Sequence, residues 1–317
     1  IIIIGTGLGA LECGLLLSKR GYSVLLLEGQ SQPGGCMQRF SRRGMHYDTG
    51  LHYVGGLNEG EALYAPFKEL GLLVLPWQRL DPEAFDNVTI EGETFPFHEG
   101  YEEFAYTLSQ RFPKEKTGLQ KYIDILRSCD DENEQYAGIN AWDWMHETFH
   151  DELLTDVLSG ASLKMELRKQ TLPLFTFAHG NSSFIQSSWR LRGPGNMLVE
   201  KLVEGIRANG GEIICNAKVT ELIERNGIIT TAICSDGEQY EGRMFISNAH
   251  PSATCDLVKD SKLMKGIYKK RIARLENTFG MFTCQLKLKD GALPYFNHNK
   301  YIYAKRDVWS LPERGDC

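Results

Sequence analysis

The stretch from Ile1 to Gly35 constrains the fold of this chain more than any other. Ile1-Ile2-Ile3-Ile4 is an apolar run of strand length that passes directly into the glycine-rich turn Gly5-Thr6-Gly7-Leu8-Gly9-Ala10. Leu11 to Arg20 reads as a helix with Gly21 as its stop, because glycine readily takes the left-handed conformation that ends helices. Tyr22 to Leu27 is a second apolar strand, and Glu28 is the acid at its end. A lone Gly-x-Gly-x-x-Ala is an ordinary turn, and a lone Glu28 an exposed acid. Strand, glycine turn, helix, strand and terminal acid together form the βαβ pattern that binds a dinucleotide. In that pattern Gly5 permits the tight turn and Gly7 lets the backbone approach a pyrophosphate. Ala10 holds the third position, where a small side chain allows close helix–strand packing, and Gly14 thins the same helix face. The helix N-terminus, with unpaired N–H groups and the positive end of its dipole, favours the anion. Glu28 is then the acceptor for a ribose hydroxyl.

The residues that follow point to the kind of dinucleotide. Glu28-Gly29-Gln30-Ser31-Gln32-Pro33-Gly34-Gly35 resembles the Glu-x-x-x-x-Pro-Gly-Gly extension of flavoproteins that include amine oxidases, phytoene desaturases, carotenoid isomerases and retinol saturases. His46-Tyr47-Asp48-Thr49-Gly50-Leu51-His52-Tyr53-Val54-Gly55 resembles a segment of the retinol saturase branch that runs under the flavin ring. A third match begins at Arg192-Gly193-Pro194-Gly195-Asn196-Met197. This opens a helix with Leu198, Leu202, Val203 and Ile206 on one face, ended by Gly210-Gly211. A strand, Glu212 to Cys215, follows. A meander then turns at Asn226-Gly227 and Asp236-Gly237, both strong hairpin signals, and closes at Phe245-Ile246-Ser247-Asn248-Ala249. The resemblance implies FAD as the cofactor, with NAD(P)H as a candidate reductant. It implies cofactor-binding residues at Gly5, Gly7, Gly9, Ala10, Glu28, Gly34, Gly35, Cys36, Gly50, Leu51, Val219 and Asn248.

The chain also departs from the family. Cys36 follows Gly35 where an arginine is usual, and Gly193-Pro194-Gly195 replaces a freer glycine turn. The chain begins without Met inside its first strand and ends at Cys317 without the family's C-terminal glycine-rich segment, so it is expected to be a piece of a longer protein.

Composition narrows the classes. With 317 residues the chain can bury one large core or two interleaved ones. A net charge of -6 argues against a nucleic-acid footprint, and Arg39-Arg42-Arg43 and Lys269-Lys270-Arg271 read as solvated faces. The eight cysteines are scattered without a Cys-x-x-Cys pair, which reads as reduced core residues of an intracellular, cytoplasmic protein. His146, His150 and His250 lack metal-ligand spacing, so no metal is expected. No apolar run approaches the ~20 residues that span a bilayer.

Chemistry is expected in the flavin-facing segment, at His46, Tyr47, Asp48, His52 and Tyr53. A flavin needs little acid–base help beyond positioning and a proton. His52 and Tyr53 are the catalytic candidates, with a satisfied structural histidine as the plainer reading of His52. Asp48 reads as a turn-fixing acid. Leu172 to Gly180 and Phe184 are either aromatic core or the lining of a substrate tunnel, and His179 with its polar neighbours is a candidate for holding a ligand head group.

The expected fold is α/β. A parallel Rossmann-like sheet carries helices on one side and a β-meander on the other, and is interleaved with an α+β substrate domain. The expected boundaries are 1–58 and 190–254 for the FAD-binding domain, and 59–189 and 255–317 for the substrate domain. Thr283 to Leu288 alternates as a half-buried strand would, and Asp130 to Glu134 reads as a solvated helix end or loop. The implied activity is redox chemistry on a carbon–carbon double bond of an apolar isoprenoid or polyene. Reduction of the retinol saturase kind comes first, then desaturation or isomerisation of carotenoids. An inactive flavin-binding scaffold and an amine-oxidase-type enzyme are the alternatives. An apolar substrate also implies peripheral membrane contact.

Overall fold

A computed structural model of the chain describes residues 1–129, 135–258 and 264–310. The chain divides into two units, one of residues 1–52, 66–76 and 191–277, the other of residues 53–65, 77–190 and 278–317. Residues 66–76 and 255–277 thus go with the first unit. The Arg192 N–H donates to Pro76 O at 2.9 Å, and the buried Cys255 and Val258 anchor the segment after the last parallel strand.

In the first unit, four short parallel strands lie in the order Glu212–Ile214, Leu25–Leu27, Ile2–Ile4, Phe245–Ser247. Alternation along the central strands assigns their two faces. Ile2, Ile4 and Leu27 join Val219, Leu222, Ala232 and Cys234 in one buried cluster beneath the meander. On the opposite face Leu26 meets the helix Leu8–Lys19, where a Cβ on Gly14 would lie 3.1 Å from Leu26 Cδ1. Helix Asn196–Ala208 packs beside it, and Gly205 leaves room for Leu15, whose Cδ1 would stand 2.8 Å from an added Cβ. The expected three layers are therefore present.

Boundaries moved where capping chemistry decided them. The first helix starts at Leu8, because the turn needs only Gly5 to Gly7 and Gly7 itself is the cap. The second strand shortens to Leu25–Leu27, because the Tyr22 N–H bonds back to Leu17 O at 3.2 Å and closes the helix end. The meander strands Val219–Arg225 and Ile228–Cys234 join through Asn226 (φ 53°) and Gly227 (φ 80°), the positive-φ pair that a two-residue hairpin requires.

The second unit has its own aromatic core. Strands Asp86–Ile90 and Glu93–Phe97 form a hairpin, and Asn299–Tyr303 runs parallel to the first of them. Helices Tyr101–Arg111, Lys116–Ser128, Ala141–Thr148, Glu152–Gly160 and Leu174–Gln186 pack with this sheet around Phe85, Phe95, Phe104, Tyr122 and Phe177, each at most 2% exposed. Leu172, Leu174 and Phe177 are thus core residues, the plainer of the two readings for that stretch. Thr283 to Leu288 is not a strand. It has no ladder partner among the described residues, and Leu286 is 75% exposed; alternation alone does not make a strand without a neighbour to receive its hydrogen bonds. Cys36 and Cys284 are also exposed rather than core. The Asp130 to Glu134 stretch lies outside the described residues.

Candidate functional site

Parallel strands end on the same side of a sheet, and in open α/β sheets ligands bind outside those carboxyl ends. Gly5, Glu28 and Asn248 each directly follow a strand of the first unit at that edge. Gly5 takes φ 90°, and Gly7 caps the helix without a side chain. The first helical bond is from the Leu11 N–H to Gly7 O at 3.1 Å, so the N–H groups of Leu8, Gly9 and Ala10 precede it; the first turn holds no acid. Such a terminus suits an anion. Ala10 is buried, as close helix–strand packing requires.

The glycines stand where chain segments cross. The Asn248 N–H donates to Ile4 O at 2.9 Å, and its side chain lies over the turn. A Cβ on Gly7 would come within 2.5 Å of Asn248 Oδ1, and one on Gly9 within 3.6 Å of Nδ2. Gly35 (φ 55°) approaches from the other side, its Cβ position 3.0 Å from Gly7 Cα. A Cβ on Gly34 (φ 120°) would run into Val199, one on Gly50 into the Cys36 carbonyl oxygen, and one on Gly195 would come within 2.9 Å of Leu51 Cβ. Thr49 Oγ1 donates to the Cys36 and Gln38 carbonyls, each at 2.7 Å. Cys36 therefore serves this loop through its backbone, and its exposed side chain is free of that task.

Glu28 is buried and bonded within the turn. Its Oε2 accepts from the Thr6 N–H at 3.0 Å and from the Thr6 hydroxyl, and its Oε1 accepts from the Gln30 N–H at 2.8 Å. Thr6 Oγ1 in turn accepts from the Gly34 N–H at 3.2 Å. A carboxylate offers about four acceptor positions, so one stays open to a further donor. The Ala217 N–H donates to Glu28 O at 2.7 Å, which brings Val219 and the start of the meander to the same corner. Asn196 Oδ1, one residue past Gly195, is buried without a donor among the described residues. Sequence reading missed Thr6, although a hydroxyl between two glycines in an apolar strand–turn was the available signal.

The flavin-facing segment separates. His46 and Tyr47 lie on the hairpin Arg39–Arg42/Met45–Asp48, where His46 Nδ1 pairs with Ser41 Oγ at 2.7 Å and Tyr47 packs on Phe40. His52 is exposed and is the last residue of that segment in the first unit, whereas Tyr53 opens the second.

Tyr53 enters a polar cluster that sequence reading did not find. Its hydroxyl donates to Asp86 Oδ2 at 2.8 Å and pairs with Tyr301 Oη at 3.0 Å. Asn299 donates to Asp86 Oδ1 at 2.8 Å and accepts from Arg190 at 2.9 Å. Lys164 Nζ stands 3.4 Å from Tyr53 Oη and 3.5 Å from the Phe184 ring centre. Burial pushes the Tyr53 hydroxyl well above its ordinary range, and Asp86 pushes it further. Burial also raises the Asp86 carboxyl, against the pull of Lys164. Solvent reaches Lys164, but the surrounding wall of protein desolvates its ammonium and lowers it to about 8. These residues lie far apart in sequence and carry no local motif.

Residues 3–70 match the family model of the NAD(P)-binding Rossmann-like domain. All-trans-retinol 13,14-reductase of Rattus norvegicus is 32% identical over 130 residues, 40% of this chain and 21% of that protein. Lycopene-forming phytoene desaturase of Pantoea ananas is 27% identical over 279 residues, 78% of this chain and 55% of that protein. The chain is thus similar to retinol reductases, phytoene desaturases and, at 22% identity, a prolycopene isomerase. The chain spans about a fifth of the first relative and just over half of the second. A solved oxidoreductase from Methanosarcina mazei shares its fold, with a TM-score of 0.66 at 22% identity over 87% of this chain and 65% of that one.

Proposed function

We propose that this chain is the FAD-binding and substrate-binding part of an oxidoreductase that acts on a carbon–carbon double bond of an apolar polyene or isoprenoid. The observation that carries the reading is the glycine turn. It has an acid-free helix N-terminus, Gly7 and Gly35 in close approach, and Glu28 with one acceptor position open. The relatives named for retinol reduction and phytoene desaturation support the choice of substrate class.

In this reading the first unit holds the FAD and the second the substrate. Gly5, Gly7, Gly9 and Ala10 receive the pyrophosphate on the helix N-terminus; Glu28 accepts from the adenosine ribose, and Val219 flanks the adenine. Gly34, Gly35, Cys36, Gly50, Leu51 and Asn248 line the rest of the cofactor path. A bound flavin supplies or accepts the hydride. His52 moves the proton at the second carbon. It suits the task better than Tyr53, whose hydroxyl proton is held by Asp86. NAD(P)H is the proposed reductant. Peripheral membrane contact is proposed through exposed apolar side chains such as Ile267 and Phe282; no helix among the described residues is long and apolar enough to cross a membrane.

The test is an absorbance spectrum of the full-length protein, followed by anaerobic titration with NADPH. A flavin band bleached by NADPH supports a reductase. A band that persists supports a desaturase or isomerase with another electron partner. Gly7→Val should fold and lack the band. No flavin in the wild-type protein would favour a second reading, an inactive scaffold, for which Cys36 in place of the family's arginine is the motivating observation.

A further inference from the structure

Lys164 has more hydrogen-bonding capacity than its surroundings use. An ammonium carries three donors, and the nearest protein acceptor, Tyr53 Oη at 3.4 Å, is beyond the usual 2.7–3.2 Å range. No carboxylate lies within ion-pair distance of it among the described residues. The charge that faces it is Asp86, which is engaged by Tyr53 and Asn299; Arg190, turned to Asn299, also acts on Asp86. Tyr301 is bound to Tyr53. Two cations against one carboxylate leave the cluster with one positive charge.

Its walls are apolar. The ammonium stands 3.5 Å from the Phe184 ring centre and 5.6 Å from that of Tyr53, and those two rings pack at 4.5 Å. Behind it, a cavity lined by Phe85, Phe97, Phe104 and Asp86 measures about 10 Å³, room for about one water and no larger group. A ligand must therefore reach Lys164 from its solvent side.

We propose that Lys164, with the rings of Tyr53 and Phe184, forms a binding site for the carboxylate head of an apolar ligand. This rests on the reading of the second unit as substrate-binding. One net positive charge matches one carboxylate, and aromatic faces beside an ammonium match a hydrocarbon chain next to that head. Tyr53 acts as a positioning residue: its hydroxyl donates to Asp86, so its oxygen is turned to accept from Lys164. Solvent access lets the ligand displace water from the ammonium without opening the core.

The sign of the pH dependence follows from charge. Lys164 is protonated below about 8, and a paired carboxylate stabilises that form, so affinity is full below this value and falls as pH rises through it.

The test is equilibrium binding of oleate and oleyl alcohol to the full-length protein. Oleate should bind at least about tenfold more tightly than the alcohol at pH 7, a charge-assisted contact of this kind being worth ~1.5 kcal/mol or more. The advantage should shrink above pH 8. Lys164→Met should abolish it, and Lys164→Arg should keep it without the pH dependence. Equal affinities in the wild-type protein, or an advantage that survives Lys164→Met, would overturn this site alone. If neither ligand binds, the apolar-substrate reading falls and the proposal falls with it.

Discussion

In the first unit the glycine turn is held by backbone. A side chain on Gly35 would meet the Gly7 backbone, one on Gly50 would meet the Cys36 carbonyl, and Thr6 ties Glu28 to Gly34. In the second unit the polar cluster is held by side chains, with Tyr53, Asp86, Lys164, Asn299 and Tyr301 reaching one another from separate elements. The first kind of site needs particular backbone conformations, so it leaves glycines at fixed spacing. The second needs only that long side chains converge, so it leaves no spacing at all. His52 and Tyr53 stand on either side of this divide: the imidazole is exposed, and the phenol is bound into the cluster.

The largest expected effect tests that divide directly. His52→Gln should keep flavin and fold while losing turnover by ~10²–10⁴, the usual worth of a general acid. Steady-state rates on the true substrate decide it, and a loss of less than a few-fold makes His52 structural. Next comes Glu28→Gln, which retains the shape but loses the charge that accepts from the ribose and from Thr6. Flavin should dissociate roughly ten- to a hundred-fold more readily, as expected for a charge-assisted bond of ~1.5–3 kcal/mol. Unchanged flavin retention on dialysis would remove Glu28 from the cofactor site.

Tyr53→Phe should leave flavin content untouched and lower stability by ~1–3 kcal/mol, because Asp86 loses a donor in a buried setting. Denaturant unfolding measures this, and a change below about 0.5 kcal/mol would mean that the cluster does not hold the second unit. The smallest effect belongs to Gly9→Ala. Gly9 lies in the helix with ordinary dihedral angles, and its Cβ would meet only the Asn248 side chain at 3.6 Å. Stability should rise by ~0.5–1 kcal/mol, since alanine is the better helix former. A marked loss would show that this first turn is more crowded than its glycine contacts indicate.

The sequence by itself determined the βαβ unit, the helix carrying Leu198, Leu202, Val203 and Ile206, and the two hairpin turns of the meander. Each is specified within a few residues, by glycine and asparagine at positive φ or by periodic burial. Helix and strand ends were less legible, because the Gly7 cap and the Tyr22 bond to Leu17 decide them. Thr283 to Leu288 shows the limit from the other side: its pattern was that of a strand, but a strand needs a partner that no pattern supplies. Tertiary structure alone decided that Thr6 joins Glu28 to Gly34 and that Asp86, Lys164 and Tyr301 meet at Tyr53. Those contacts join residues up to 248 positions apart, and only the folded chain brings them within hydrogen-bonding reach.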